Sequence, residues 1–241
     1  MYEKFEELYR QFEEEWWWFE GRRNLVSNLC SRFRFEENVK VLEIGCGTGR
    51  NAEIFKSYYG IDISVTSLRI AYSRGLRNLA RGTALKLPFK SASFDLILLL
   101  DFLEHLDDDY MAVKEAHRVL KSDGILIILS PAFMFLWSDH DIVFNHKRRY
   151  KKGEIEEITT KNGFIIEKIS YWNFFLFIPV LLKRKIETMH SQTRPKSDLI
   201  ELPKIINRPL HILLKIENLL ISKGVNLPVG VSILCIGKKW E

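Results

Sequence analysis

His140, Asp141 and His146 fall within one short stretch, Pro131 to Tyr150, with Arg148 and Arg149 directly after them. Imidazole titrates nearest neutrality, and a carboxylate beside it can fix the tautomer and support the charged form. By type, His140 with Asp141 is the best pair for taking a proton from a reacting oxygen or nitrogen. His146 is a second candidate for that catalytic role, and with Arg148 and Arg149 it has the chemistry to hold an anionic substrate such as a phosphate or carboxylate. The plainer alternative is that His105 caps a helix and that Arg148 and Arg149 form an ordinary charged turn before a helix over 151–162.

A second set of residues points to ligand binding. Val39 to Glu43 is a short, mostly apolar and β-branched run of the kind buried on both faces of a sheet. Gly45, Cys46, Gly47, Thr48 and Gly49 follow, and an amphipathic segment begins after them. Strand, glycine turn and helix together bring backbone N–H groups up to a ligand. A dinucleotide fingerprint would require glycine at position 50, where the chain has Arg50. Asp62 ends the next short apolar run, where a carboxylate can accept hydrogen bonds from both hydroxyls of a ribose. Ser64 is the better cap for the helix expected over 65–74. A plain tight turn remains the simpler reading of the glycines taken alone.

Glu43-x-Gly45-x-Gly47-x-Gly49 resembles motif I of the class I S-adenosylmethionine-dependent methyltransferases. Asp62 and Ile63 are similar to the family's motif II. Gly82 to Phe89 resembles its G-D-A-x-x-L-P-F segment, with Thr83 in place of the acid. Ser93 to Leu106 resembles F-D-x-V followed by L-E-H-L, and Lys121 to Gly124 resembles R-V-L-K-P-G-G without its proline. The resemblance covers about 39–130. It implies S-adenosylmethionine as methyl donor and S-adenosylhomocysteine as product. Glu43, Gly45, Cys46, Gly47 and Gly49 would lie beside the methionine part and Asp62 on the ribose. Ile63, Thr83 and Ala84 would then meet the adenine, and Leu100 and Asp101 the methionine end. Trp137 to Tyr150 resembles a W-S-x-H-D-x-x-x-x-H-x-R-R-Y segment from a subgroup linked to cell-envelope or lipid-linked sugar metabolism. No N-P-P-Y or D-P-P-Y loop is found, which counts against methylation of nucleic-acid amino groups.

The elements that would position these residues are legible as periodicity. Short apolar strands alternating with helices predict an α/β fold. The family form is a Rossmann-like, seven-stranded, mostly parallel sheet with helices on both faces and an antiparallel last strand. Strands are expected over 125–129, 163–170 and 230–238, and a helix over 110–120. One methyltransferase domain is expected over 1–241: a helical lid at 1–35, a cofactor-binding core at 36–171, a helical acceptor region at 172–229 and the last strand at 230–241. Tyr2, Phe5, Leu8, Phe12 and Trp16 recur at helical spacing and lead into Trp16-Trp17-Trp18-Phe19 and Arg22-Arg23. Aromatic faces attract a sulfonium and arginine forks a carboxylate. Arg23, or its neighbour Arg22, is expected on the cofactor's methionine carboxylate.

Composition sets the remaining bounds. The 241 residues are 46% hydrophobic, enough for a sizeable core. Three cysteines at no metal-like spacing predict a reducing, cytoplasmic setting, and no metal is expected. The charged, amphipathic start does not read as a secretory signal. The net charge of +5 is C-terminal: from Lys183 onward there are eleven Lys/Arg against five Asp/Glu. That excess coincides with two apolar segments, 174–182 and 209–222, the second expected to begin at Pro209. Neither reaches the roughly 20 residues needed to span a bilayer. A greasy acceptor pocket, a dimer contact, a peripheral membrane surface or a solvated basic face all fit. The expected partner is a small-molecule or lipid-linked acceptor methylated at oxygen, with no DNA. Rival readings are RNA or protein methylation and a non-catalytic, membrane-peripheral protein on the same fold.

Overall fold

The computed structural model describes residues 12–33, 35, 38–189, 197–199 and 202–240. The N-terminal helical positions Tyr2, Phe5 and Leu8 lie outside those residues. Among the described residues seven strands pair into one sheet: β1 (Lys40–Ile44), β2 (Ser57–Asp62), β3 (Leu79–Arg81), β4 (Phe94–Leu100), β5 (Leu120–Pro131), β6 (Phe164–Trp172) and β7 (Ser232–Lys239). Their order is β3-β2-β1-β4-β5-β7-β6. β7 runs antiparallel to both β5 and β6, and the other pairings are parallel. The expected class, with its antiparallel last strand, is what the chain forms.

Among the described residues the helices include α1 (Trp17–Cys30), α2 (Val65–Ser73), α3 (Asp109–Val119), α4 (Asp139–Val143), α5 (Lys152–Lys161), α6 (Phe177–Met189) and α7 (Lys204–Ser222). Alternate residues of the central strands feed two apolar layers. Leu42, Ile44, Ile97, Leu99 and Ile128 pack with Val113 and Ala116 of α3 and Ile155 of α5. Val41, Leu96, Leu98, Ile127 and Leu129 pack with Leu25 and Leu29 of α1 and Leu214 and Ile221 of α7. Strands buried on both faces explain why these runs read as continuously apolar.

α1 and α7 approach closely because Gly21 has no side chain: a Cβ there would lie 2.3 Å from Leu214 Cδ1. Asn218 of α7 donates to the Gly21 carbonyl at 2.8 Å and accepts from Trp172 Nε1 at 2.8 Å. The N-terminal aromatic helix is thereby locked to the C-terminal insertion across the sheet edge. Two expectations are corrected here. Lys121 to Gly124 bulges within β5, so Phe94 pairs with Leu120 but Leu96 with Ile125. α7 begins at Lys204, which puts Pro209 inside the helix. Proline has no N–H to donate, so it breaks one bond of the ladder there instead of opening it.

Candidate active site

β1 and its neighbours β2 and β4 diverge at the point where strand order reverses, and their carboxyl ends define a crevice. Gly45, Gly47 and Gly49 all have positive φ (75°, 52° and 73°), a backbone conformation glycine adopts without a steric penalty. Nothing lies within 4 Å of where a Cβ on Gly47 would sit, so the turn presents bare backbone to open space. The amides of Gly45 and Cys46 both bond the Ile61 carbonyl, tying the turn to β2. Cys46 packs its sulfur against Gly60, where a Cβ would come within 2.7 Å.

Asp62 accepts from Gly47 N–H on one oxygen and Ser64 N–H on the other, each at 2.8 Å. Its carboxylate is therefore held in one orientation with lone pairs left over. Ile63, beside it, is 71% exposed. Thr83 is also at the surface, and its hydroxyl oxygen accepts from Leu85 N–H at 3.2 Å. Ala84 is buried next to it. Glu43 sits beneath the turn: its oxygens take Asn51 Nδ2 and the Tyr58 hydroxyl, both at 2.6 Å. Burial raises its pKa to about 7. It braces the turn from behind.

The lid and the strand ends meet through Arg22, which donates to Asp101 Oδ2 at 2.7 Å. Its guanidinium lies 5.0 Å from the Trp18 ring centroid and 5.3 Å from that of Phe19. Arg23, expected on the cofactor, instead donates to the Glu13 carbonyl at 2.8 Å and pairs with Glu53 at 3.0 Å. Adjacent helical residues project about 100° apart, so only one of the two arginines can face the strand ends. Glu13 also accepts from the Thr48 hydroxyl, which draws the chain before α1 over the glycine turn. Asp101 has φ 51°, uncommon for a residue with a side chain. Leu100 packs its side chain into the apolar layer under α1, leaving only its backbone at the strand end.

A cavity of about 310 Å³ opens beside Asp101. Trp16, Trp17, Trp18 and Phe19 line it together with Val180, Leu202 and Leu210, and His105, His140 of α4 and His146 line it as well. The expected pairing of His140 with Asp141 is corrected. The two are consecutive in α4, and consecutive helical side chains do not face each other. Asp141, fully buried, binds His146 Nδ1 at 2.9 Å and Arg149 through Nε and Nη2 at 2.8 and 2.9 Å. Burial works against its ionisation, but the His146 and Arg149 hydrogen bonds outweigh it and hold the carboxyl below the usual range.

His140 Nδ1 accepts the backbone N–H of Asp198 at 3.2 Å. That bond puts the proton of the neutral ring on Nε2, making His140 a donor toward the cavity. Burial lowers its pKa to about 4. His146 is the reverse: Nδ1 faces Asp141, so Nε2 carries the lone pair. Arg148 turns away to Asp109 at 3.1 Å, and Arg149 is buried on Asp141, so neither serves as the expected anion clamp.

Three cavity residues carried no signal strong enough to single them out in the sequence. Glu104 and Asn173 both have buried side-chain oxygens without a partner among the described residues. Asn173 follows β6 with φ 63°, and its backbone N–H is held by the buried Glu217 carboxylate of α7. Asp198 joins α6 through Lys183 and Arg184.

A methyltransferase domain model matches residues 42–128. The ubiquinone biosynthesis O-methyltransferase of Pelagibacter ubique is 26% identical over 212 aligned residues, covering 70% of this chain and 86% of that one. A probable S-adenosylmethionine-dependent methyltransferase of Mycolicibacterium smegmatis is 28% identical over 163 residues, covering 64% of this chain; the chain spans 62% of that relative's length. Among solved structures, a Thermotoga maritima SAM-dependent methyltransferase, described as a possible histamine N-methyltransferase, has a TM-score of 0.62 and 25% identity. That likeness covers 99% of this chain and 100% of the other.

Proposed function

The chain belongs to the class I S-adenosylmethionine-dependent methyltransferases, and from that premise we propose that it methylates an oxygen of a small-molecule or lipid-linked acceptor. The observation that carries this reading is the buried Asp141–His146 pair on the wall of a largely apolar cavity. When bound, S-adenosylmethionine supplies an electrophilic methyl group on a sulfonium. The open face at Gly47, the spare lone pairs of Asp62 and the exposed Ile63 fit its adenosyl part. Arg22 is assigned the methionine carboxylate, which a guanidinium can bind as a bidentate fork.

The acceptor hydroxyl would lie between His146 and the cofactor crevice. His146 Nε2 takes its proton, and Asp141 stabilises the imidazolium that forms. His140 donates from Nε2 to a neighbouring acceptor atom and so orients it. The aromatic wall excludes water and aligns the oxygen for in-line attack, where much of the acceleration arises. The name of the Pelagibacter relative supports oxygen as the target atom.

α6 and α7 line the cavity on one side and carry outward apolar stripes at helical spacing. Ile178, Leu182 and Ile186 form one, and Ile205, Ile212, Ile216 and Leu219 the other. Lys204, Arg208, Lys215 and Lys223 flank the second, while the acid of α7, Glu217, is buried. An acceptor with an apolar tail, met at an anionic lipid surface, fits that arrangement. No helix among the described residues is long and apolar enough to cross a membrane.

The test is transfer of labelled methyl to a fractionated cell extract. Label in the lipid or small-molecule pool supports the reading. Label confined to RNA or protein overturns it.

A further inference from the structure

Glu104 stands on the wall of the cavity. It is fully buried, and neither carboxylate oxygen has a hydrogen-bond partner among the described residues. Its backbone carbonyl accepts from Lys147 N–H at 2.8 Å. A carboxylate in that condition needs a proton or a cation. One carboxylate oxygen of Glu104, a ring nitrogen of His105 and a ring nitrogen of His146 lie within 4.8 Å of one another.

We propose that Glu104, His105 and His146 form a binding site for one divalent first-row transition cation, of the Zn²⁺ or Mn²⁺ type, on the wall of the acceptor cavity. Two imidazoles and a carboxylate are the donor set such ions take. His146 has the outer partner that orients a metal ligand. His146 Nδ1 is on Asp141. The rings stand edge to face with centroids 4.7 Å apart, so their planes are not stacked against a shared ion. Bonds of about 2.1 Å put tetrahedral donor atoms about 3.4 Å apart, so the three donors must draw together from separations of up to 4.8 Å.

The proposal rests on the oxygen-acceptor reading, because the ion's open positions are where an acceptor oxygen would bind. With the cation present, the His146 lone pair is donated to it. The cation would lower the pKa of the acceptor O–H; its proton would leave to solvent, and the oxygen would use the freed electron pair to form the O–C bond as the C–S bond of the sulfonium breaks and S-adenosylhomocysteine departs with that bond's electrons.

The test uses chelator-stripped, full-length protein titrated with Co²⁺, followed by visible absorbance and calorimetry. One Co²⁺ per chain is expected, with Glu104→Gln and His105→Gln each weakening binding at least about tenfold. S-adenosylmethionine titrations on the same samples, unchanged within about twofold, show that the variants are folded. No saturable Co²⁺ binding, or equal binding by wild type and Glu104→Gln, overturns the site and leaves a proton on Glu104. A silent cobalt titration with label still entering the lipid or small-molecule pool removes the cation and keeps the small-molecule or lipid-linked acceptor. Cobalt binding with label only in RNA or protein supports the site and removes the acceptor reading.

Discussion

Asp141 Oδ1 lies 2.9 Å from His146 Nδ1, while the same carboxylate takes Nε and Nη2 of Arg149 at 2.8 and 2.9 Å. One buried anion therefore fixes both the tautomer of His146 and the course of the chain after α4. His146→Gln should lower methyl transfer by about 10²- to 10⁴-fold, the usual range for a general base. Affinity for S-adenosylmethionine should stay within about threefold of wild type. His140→Ala removes only a donor and should cost about tenfold or less. Single-turnover rates decide it, and a larger loss from His140→Ala than from His146→Gln would reverse the two roles.

Arg22 and Arg23 give a second prediction. Arg22 faces Asp101 and the crevice, whereas Arg23 is engaged with Glu13 and Glu53. Arg22→Met should weaken S-adenosylmethionine binding by about tenfold or more, the scale of a lost charge-assisted pair of hydrogen bonds. Arg23→Met should change it by about threefold or less. Calorimetric titration of both variants compares them directly, and equal losses would exclude the assignment to Arg22.

The glycine turn, Asp62 and the strand positions are legible in local spacing, because a buried parallel strand and a positive-φ turn each impose residue types on contiguous sequence. Pairing at a distance is not legible in that way. His140 and Asp141 look like partners because they are adjacent, yet α4 turns them apart, and Asp141 reaches His146 and Arg149 instead. Arg22 and Arg23 are equivalent by type, and only the packing of α1 against β4 tells them apart. Glu104 sits in a stretch that reads as family pattern, and its missing partners appear only when the fold surrounds it.

Gly230 offers a test of the fold itself. A Cβ there would sit 2.3 Å from the Trp172 carbonyl oxygen and 2.9 Å from its carbon, and backbone cannot rotate away. Gly230→Ala should destabilise by about 1–3 kcal/mol, the range for overpacking. For a chain of this size that is a Tm lower by roughly 2–12 °C. Gly153, near the start of α5 with nothing within 4 Å of its Cβ position, is the control. Gly153→Ala should be neutral or stabilising by up to about 1 kcal/mol. Thermal unfolding of both, with similar Tm values, would contradict the close approach of β7 to Trp172.

The outward stripe on α7 predicts lipid-dependent behaviour. Ile212 and Ile216 are 58% and 50% exposed, and Arg208 and Lys215 lie beside them. Wild type should co-sediment with vesicles containing anionic lipid more than with zwitterionic ones, since each nearby cation contributes about 1 kcal/mol. Ile212→Glu with Ile216→Glu should abolish that difference without altering S-adenosylmethionine affinity. Indifference of the wild type to vesicle charge would remove the membrane-surface reading.

The acid side of the stability profile should carry the signature of Asp198. Burial opposes its ionisation, but hydrogen bonds and charge from Arg184 and Lys183 prevail and hold its carboxyl at about 2. An unfolded aspartate titrates near 3.9, so the folded state binds that proton less readily. The stabilisation, about 2 kcal/mol, is fully present above the unfolded pKa and is lost as pH falls from about 4 toward 2. Asp198→Asn has no such contribution: its Tm should be lower than wild type at pH 6, with the gap narrowing toward pH 2. Because the backbone N–H of residue 198, not its side chain, bonds His140, the substitution should leave the His140 tautomer in place. A gap that stays constant from pH 6 to 2 would show that the Arg184–Asp198 contact does not tie α6 to the cavity wall.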